Sequence, residues 1–272
     1  MKWLRALFSI YIYGSIHVAL ATVSLVLMTK HMFHNPFDPA MAVFVFCGTM
    51  FSYNFMKYES LFRFKRKIGR QVKIITALSA VAFAGGVVSF FYLGRVTQIA
   101  AVIFFGLTAL YTVPFFPRRK NLRNLSGIKI YIVALCWAGV TLLLPLLNAG
   151  TEISADVFLK FGQRFLLVII LILIFEIIDL KEDDPHLKTI PQTIGVRNTK
   201  LLNLFLLIPF YFLEFFKSVI EAQQLLVNIL LILIVAMFTI YANPDRPKYY
   251  TLFWVEAIPI FWLAMVVLAG QV

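Results

Sequence analysis

Acidic residues are scarce in this chain, with 13 Asp and Glu against 25 Lys and Arg in 272 residues. Their placement is therefore informative. Glu176, Asp179, Glu182, Asp183 and Asp184 form one cluster. On a helix, positions 176, 179 and 183 are spaced i, i+3, i+7 and share a face. Carboxylates gathered this way repel one another unless they reach water or a cation. Hard oxygen donors at this spacing suit Mg2+, which keeps waters and phosphate oxygens in its shell. The alternative is a solvated helix end that merely stops a span. Basic residues in neighbouring loops, among them Lys57, Arg66, Arg118, Arg119 and Lys188, complete a second pattern. A metal–carboxylate site ringed by cations holds a diphosphate and stabilises the charge that develops as it leaves. Taken singly, each of these basic residues also reads as a topogenic or lipid-facing charge.

The elements that position these groups are membrane spans. Hydrophobic residues make up 61% of the chain, and mean hydropathy is +0.87; a soluble domain is nearer 45–50% apolar. The apolar residues fall in runs of roughly 18–22, long enough to cross the hydrocarbon core as helices. A β-barrel would show short alternating segments instead. The pattern predicts an all-α polytopic membrane protein, residues 1–272 forming a single transmembrane domain. About nine spans are expected, near 7–28, 39–56, 74–93, 97–116, 129–148, 161–179, 201–218, 223–241 and 250–270. The first lacks the short core and cleavage site of a signal peptide and reads as a retained span. The longest polar connection runs from Leu180 to Lys200.

Lys and Arg set the orientation. With the N-terminus in the cytoplasm, twenty of the 25 fall in inner segments. Lys30, Arg95, Lys160, Arg164 and Lys217 fall on the other side. The C-terminus is then outside, as in a multi-pass protein of a bacterial inner membrane. The net charge of +12 reads as topology and contact with the anionic lipid bilayer, with no nucleic acid. Cys47 and Cys136 sit in apolar runs and suggest neither a disulfide framework nor a metal site.

The stretch EIIDLKEDDPHLKTIPQTIGVRNTK, Glu176 to Lys200, resembles the second signature of the UbiA family of intramembrane prenyltransferases. Asp179 and Asp183 keep its D-x-x-x-D spacing, and Lys188, Thr189, Pro191 and Gly195 match its tail. The stretch ALYTVPFFPRRKNLRN, Ala109 to Asn124, also resembles the family, with a Tyr and Pro closing the fourth span before a basic loop. The family's first signature, N-D-x-x-D-x-x-x-D at the end of span 2, meets SYNFMKYESLF here. Asn54 matches the Asn, while Phe55, Tyr58 and Phe62 replace the aspartates. Glu59 is the only acid nearby.

The resemblance implies a UbiA-like bundle that transfers a prenyl group from a polyprenyl diphosphate to a lipophilic, usually aromatic, acceptor. It implies Mg2+ on Asp179 and Asp183, aided by Glu176 or Glu182. Lys57, Arg118, Arg119 and Lys188 would neutralise the diphosphate, and Asn54 and Tyr58 would orient the acceptor or the diphosphate. Loss of the first acidic motif leaves open a catalytically inactive relative that binds a lipid diphosphate or a protein partner. A transporter would carry ionisable residues near the bilayer midplane, whereas the acids here cluster at one face. Glu214 and Glu256, inside apolar spans, are costly and are functional candidates. His17 reads as a packed histidine, and His31 and His34 beside Asp38 as a solvated loop.

Overall fold

In lipid each backbone N–H and C=O must find an internal partner, so the apolar runs close into helices. The computed structural model describes residues 2–63, 69–112 and 127–270. The helices are α1 (Lys2–Tyr13), α2 (Ile16–Met32), α3 (Pro39–Arg63), α4 (Arg70–Phe90), α5 (Arg95–Thr112), α6 (Lys129–Asn148), α7 (Ala155–Asp179), α8 (Ile190–Phe216), α9 (Ala222–Tyr241) and α10 (Tyr250–Leu268). Among the described residues eight are long and apolar enough to cross a membrane. The count is nine if the bent pair α1–α2 is one span.

The first predicted span is broken. α1 and α2 meet at 53°. A Cβ on Gly14 would lie 2.4 Å from the Ile10 carbonyl oxygen. Ser15 has φ 60, a left-handed conformation that non-glycine residues disfavour. The expected connection from Leu180 to Lys200 is also partly helical, because α8 already starts at Ile190. Its entry follows from sequence: Thr189 is the N-cap, its N–H donates to Gln192 Oε1 (2.9 Å), and Pro191 occupies the first turn, where a missing N–H costs nothing. Gly195 then takes φ 80 and kinks the helix.

Two π-helical turns, Gly139–Leu143 in α6 and Tyr250–Val255 in α10, each lie just before a proline, Pro145 or Pro259. A proline ring clashes with the carbonyl four residues back. The wider π turn takes up that clash inside a continuous span.

α7 lies at the centre, with 67% of its span window buried against 44% for α6, the next highest. Leu167, Ile170, Ile174 and Ile177 pack with Phe210 and Trp262 in the main core. Lipid is as apolar as these side chains, so close packing and internal polar contacts hold the helices together. At one end of the bundle Asn148 bonds Asp38 (2.5 Å) and Gly94 N–H (2.8 Å). At the other end α1, the end of α3, the end of α7 and the starts of α6, α8 and α10 come together, and the acidic cluster lies there.

Lys160 and Arg164, counted toward the outer side, lie inside α7 and are 3% and 2% exposed. Lys160 Nζ reaches Glu214 Oε2 at 2.6 Å. Arg164 donates to Thr29 Oγ1 (2.6 Å) and the Thr141 carbonyl (2.8 Å).

Candidate functional site

Two features are candidates, an apolar cavity and an acidic turn; none of the described residues that line the cavity belongs to the turn. The cavity, about 520 Å³, lies between α2, α3, α5 and α6, within the usual range for ligand pockets. Helix α3 contributes pairs at 44/45, 48/49, 52/53 and 56/57, a four-residue repeat that keeps one face toward the space. From Val45 to Lys57 that stripe runs about 18 Å. Small residues, Gly48 and Thr49, leave the middle open, and Phe104, Tyr53 and Trp137 supply aromatic walls. Tyr53 Oη accepts from Trp137 Nε1 at 2.9 Å, which fixes both rings. Lys57, at the end nearest the acidic turn, is the one charged residue among the described lining residues. Glu256, on α10, is within electrostatic reach of Lys57 and Tyr53.

Gly139 is essential to the wall. A Cβ there would stand 2.0 Å from Phe104 Cζ, so the ring packs directly on the π turn. Gly139→Ala should push Phe104 into the cavity. Overpacking of this kind costs about 1–3 kcal/mol. Thermal unfolding in detergent should show that loss, together with weaker uptake of a long isoprenoid than of a C5 analogue.

The acidic turn is built by the end of α7. Asp179 is its last residue, and the Glu182 and Asp183 N–H groups both donate to the Asp179 carbonyl, at 2.8 and 2.9 Å. The chain therefore reverses at once and brings Asp183 back beside the helix end. Glu176 is buried and committed elsewhere: Lys129 Nζ lies 2.8 Å from Oε1, and the Ile190 N–H donates to Oε2 at 3.1 Å. It ties α6, α7 and the start of α8 together. Glu182 pairs with Lys248, and Lys181 with Asp245, joining the turn to the approach to α10. Glu182 holds the Lys248 ammonium above the ordinary lysine range, with Asp179 adding to the effect. Asp184 accepts from the His186 N–H (2.9 Å) and caps a short helical turn. Lys188 is exposed, with φ 46.

This geometry revises the expected ligand set. Among the described residues no three His, Cys, Asp or Glu side chains converge enough to hold a metal ion by themselves. Glu176 and Glu182 are occupied by lysines, whereas Asp179 and Asp183 make no ion pair among the described residues. Two carboxylates fit a Mg2+ ion that arrives with phosphate oxygens, since Mg2+ commonly takes one or two carboxylates and fills its octahedron with substrate and water. They do not fit an all-protein cage.

Asn54 and Tyr58 were expected at the substrate; both face neighbouring helices. Asn54 Nδ2 donates to the Gly14 carbonyl (2.9 Å) and Ser79 Oγ (2.8 Å), and Tyr58 Oη donates to the Tyr13 carbonyl (3.0 Å). Arg118 and Arg119 lie outside the described residues. Lys129 and Lys248, which sequence counted only as topogenic charges, both act on Asp179. No spacing signal marks them, because their partner is on another helix. His17 is packed as expected, bonded to Tyr11 Oη (2.7 Å) and the Phe253 carbonyl (2.8 Å).

No family model matches the chain, and no curated protein does. Solved structures do. The apo structure of a UbiA homolog from Aeropyrum pernix K1 is 15% identical, with a TM-score of 0.69 over 93% of this chain and 98% of that one. A UbiA homolog from Archaeoglobus fulgidus bound to GPP and Mg2+ is 12% identical, with a TM-score of 0.60 over 100% of both chains. A digeranylgeranylglyceryl phosphate synthase is 16% identical, with a TM-score of 0.58 over 100% of this chain and 98% of that one. At these identities the likeness is one of fold: the chain has the helical bundle of the UbiA homologues along its whole length.

Proposed function

We propose that this protein transfers a prenyl group from a polyprenyl diphosphate to a lipophilic acceptor of the aromatic class within the membrane. The observation that carries this reading is the pair Asp179 and Asp183, without lysine partners among the described residues, at the bundle end toward which the α3 stripe of the cavity, about 18 Å long, runs and ends in Lys57. The shared fold supports it, since a neighbour was solved with GPP and Mg2+.

In this reading the isoprenoid tail lies along the α3 stripe, where Phe104 and Trp137 exclude water. Asp179 and Asp183 would hold a Mg2+ ion, which would supply neutralisation of charge on the phosphate oxygens. Lys57 meets the headgroup from the cavity side, and Lys188, Arg118 and Arg119 are further cations for it. The allylic C–O bond breaks with its electron pair leaving on diphosphate. The acceptor's π or lone-pair electrons form the new bond to carbon, and the acceptor loses a proton. The lysine and arginine distribution supports placing this end in the cytoplasm.

A second reading follows from Asn54 and Tyr58. Their bonds to the α1–α2 break give them a structural task, which favours a relative that binds a lipid diphosphate without turnover. Geranylgeranyl diphosphate added to detergent-purified protein separates the possibilities. Mg2+-dependent binding followed by diphosphate release with an aromatic acceptor supports the transferase. Binding without release across a panel of acceptors supports the second reading. No binding to folded protein sinks both.

A further inference from the structure

Three side chains on one face of α3 converge on the break between α1 and α2. Tyr58 Oη donates to the Tyr13 carbonyl (3.0 Å), Asn54 Nδ2 to the Gly14 carbonyl (2.9 Å), and Lys57 Nζ to Ser15 Oγ (3.0 Å). A helix break leaves carbonyls without their i+4 donors, and in a membrane these need replacement partners. Asn54 and Tyr58 supply them.

Lys57 differs from the other two. It is ionised, carries two further N–H donors, and lines the apolar cavity. Its partner at the break is a neutral hydroxyl. Ser15 is fully buried and holds φ 60, a conformation that persists in a non-glycine residue only where its surroundings enforce it. The bond from the Lys57 ammonium to Ser15 is already charge-assisted, but an anionic headgroup adds a Coulombic attraction that a neutral hydroxyl lacks. Such a group entering the cavity end competes with Ser15 for the Lys57 ammonium and pulls the side chain toward the cavity.

What hangs on that bond is α1. Its Trp3, Leu4 and Leu7 are exposed, an apolar edge suited to a membrane surface. Its inner contacts run to two sides: Gln71 Nε2 donates to Ser9 Oγ (2.7 Å) on the α4 side, and Phe8 packs on Tyr249 and Phe253 beside Lys248. We propose that Lys57 is a latch that couples capture of an anionic lipid headgroup in the cavity to the seating of α1, so that the empty protein holds this helix as a strap and headgroup binding loosens it. The anion is the diphosphate of the proposed function, so the coupling rests on that reading.

The test uses full-length protein in nanodiscs with Cys47→Ala and Cys136→Ala, and spin labels at Leu7→Cys on α1 and Val96→Cys on α5, both exposed positions. Geranylgeranyl diphosphate with Mg2+ should shift the distance distribution. Lys57→Met should show the shifted distribution without ligand and bind roughly tenfold or more weakly. Ser15→Gly removes the competing hydroxyl and relieves the positive φ. It should loosen α1 while binding the diphosphate at least as tightly as the parent, an outcome that a purely structural role for Lys57 would not produce. If the ligand binds and the distribution stays fixed, the coupling is wrong and the proposed function stands. If Lys57→Met and Ser15→Gly both leave the empty protein unchanged, there is no latch. If the ligand does not bind, the proposed function is wrong and the coupling falls with it.

Discussion

Replacing Asp179 and Asp183 together by Asn should abolish Mg2+-dependent binding of geranylgeranyl diphosphate, weakening it at least about a hundredfold, or about 2.7 kcal/mol. The substitution keeps shape and removes the two carboxylates that no lysine among the described residues occupies. Their neighbours give the controls. Glu182→Gln breaks an exposed pair with Lys248, and exposed pairs contribute roughly 0–1 kcal/mol, so binding should change little. Glu176→Gln acts differently. That carboxylate is 4% exposed and joins Lys129 to the Ile190 N–H, so its loss should lower the unfolding temperature first and affinity only through α8. Calorimetric titration with and without Mg2+, beside thermal unfolding, separates these effects. A double Asp variant that binds like the parent would mean that the headgroup is held by cations alone, and the role given to the α7 turn would be wrong.

The contrast between Glu176 and Asp179 also shows what a sequence can convey. Spacing places both on one face of a helix, and the end of α7 is indeed where they meet. Spacing cannot say that Lys129, nearly fifty residues earlier, occupies one of them and leaves the other. The spans were legible because twenty consecutive apolar residues in lipid have few alternatives to a helix. The break at Gly14–Ser15 was not, since hydropathy runs through it unchanged and the residues that stabilise it lie on α3. Asn54 illustrates the same limit. Its position matches the Asn of a metal-binding signature, yet its amide nitrogen is committed to Gly14 and Ser79. The start of α8 was hidden differently: Lys188 to Lys200 is polar and reads as a loop. Its Thr189–Pro191 entry and the kink at Gly195 make it a helix that turns before entering the bundle.

The burial of these charges was hidden for a related reason. Lys160 and Arg164 count toward the outer side in a tally of loops, but they sit inside α7 because Glu214, fifty-odd residues later, is there to meet Lys160. That carboxylate is 0% exposed. Its Oε2 accepts from Lys160 (2.6 Å), Gln163 (2.9 Å) and Asn228 (3.1 Å), and Lys217 lies 3.1 Å from Oε1. Glu214→Ala should therefore destabilise the protein by about 3–5 kcal/mol, the usual cost of leaving one member of a buried ion pair uncompensated. The double variant Lys160→Met/Glu214→Leu removes both charges at similar volume and should recover most of that loss, since apolar replacement of a whole buried pair is often neutral or better. Lys217 is 13% exposed and can turn outward once Glu214 is gone, so it should not prevent the recovery. Reversible unfolding in detergent micelles measures all three proteins. Recovery in the double variant, with diphosphate binding unchanged, would make this network a structural fastening at the end of the bundle away from the site. Loss of diphosphate binding in a stable double variant would instead show that the buried charges at that end act on the cavity, through Arg164 and its bonds to Thr141 on the cavity wall.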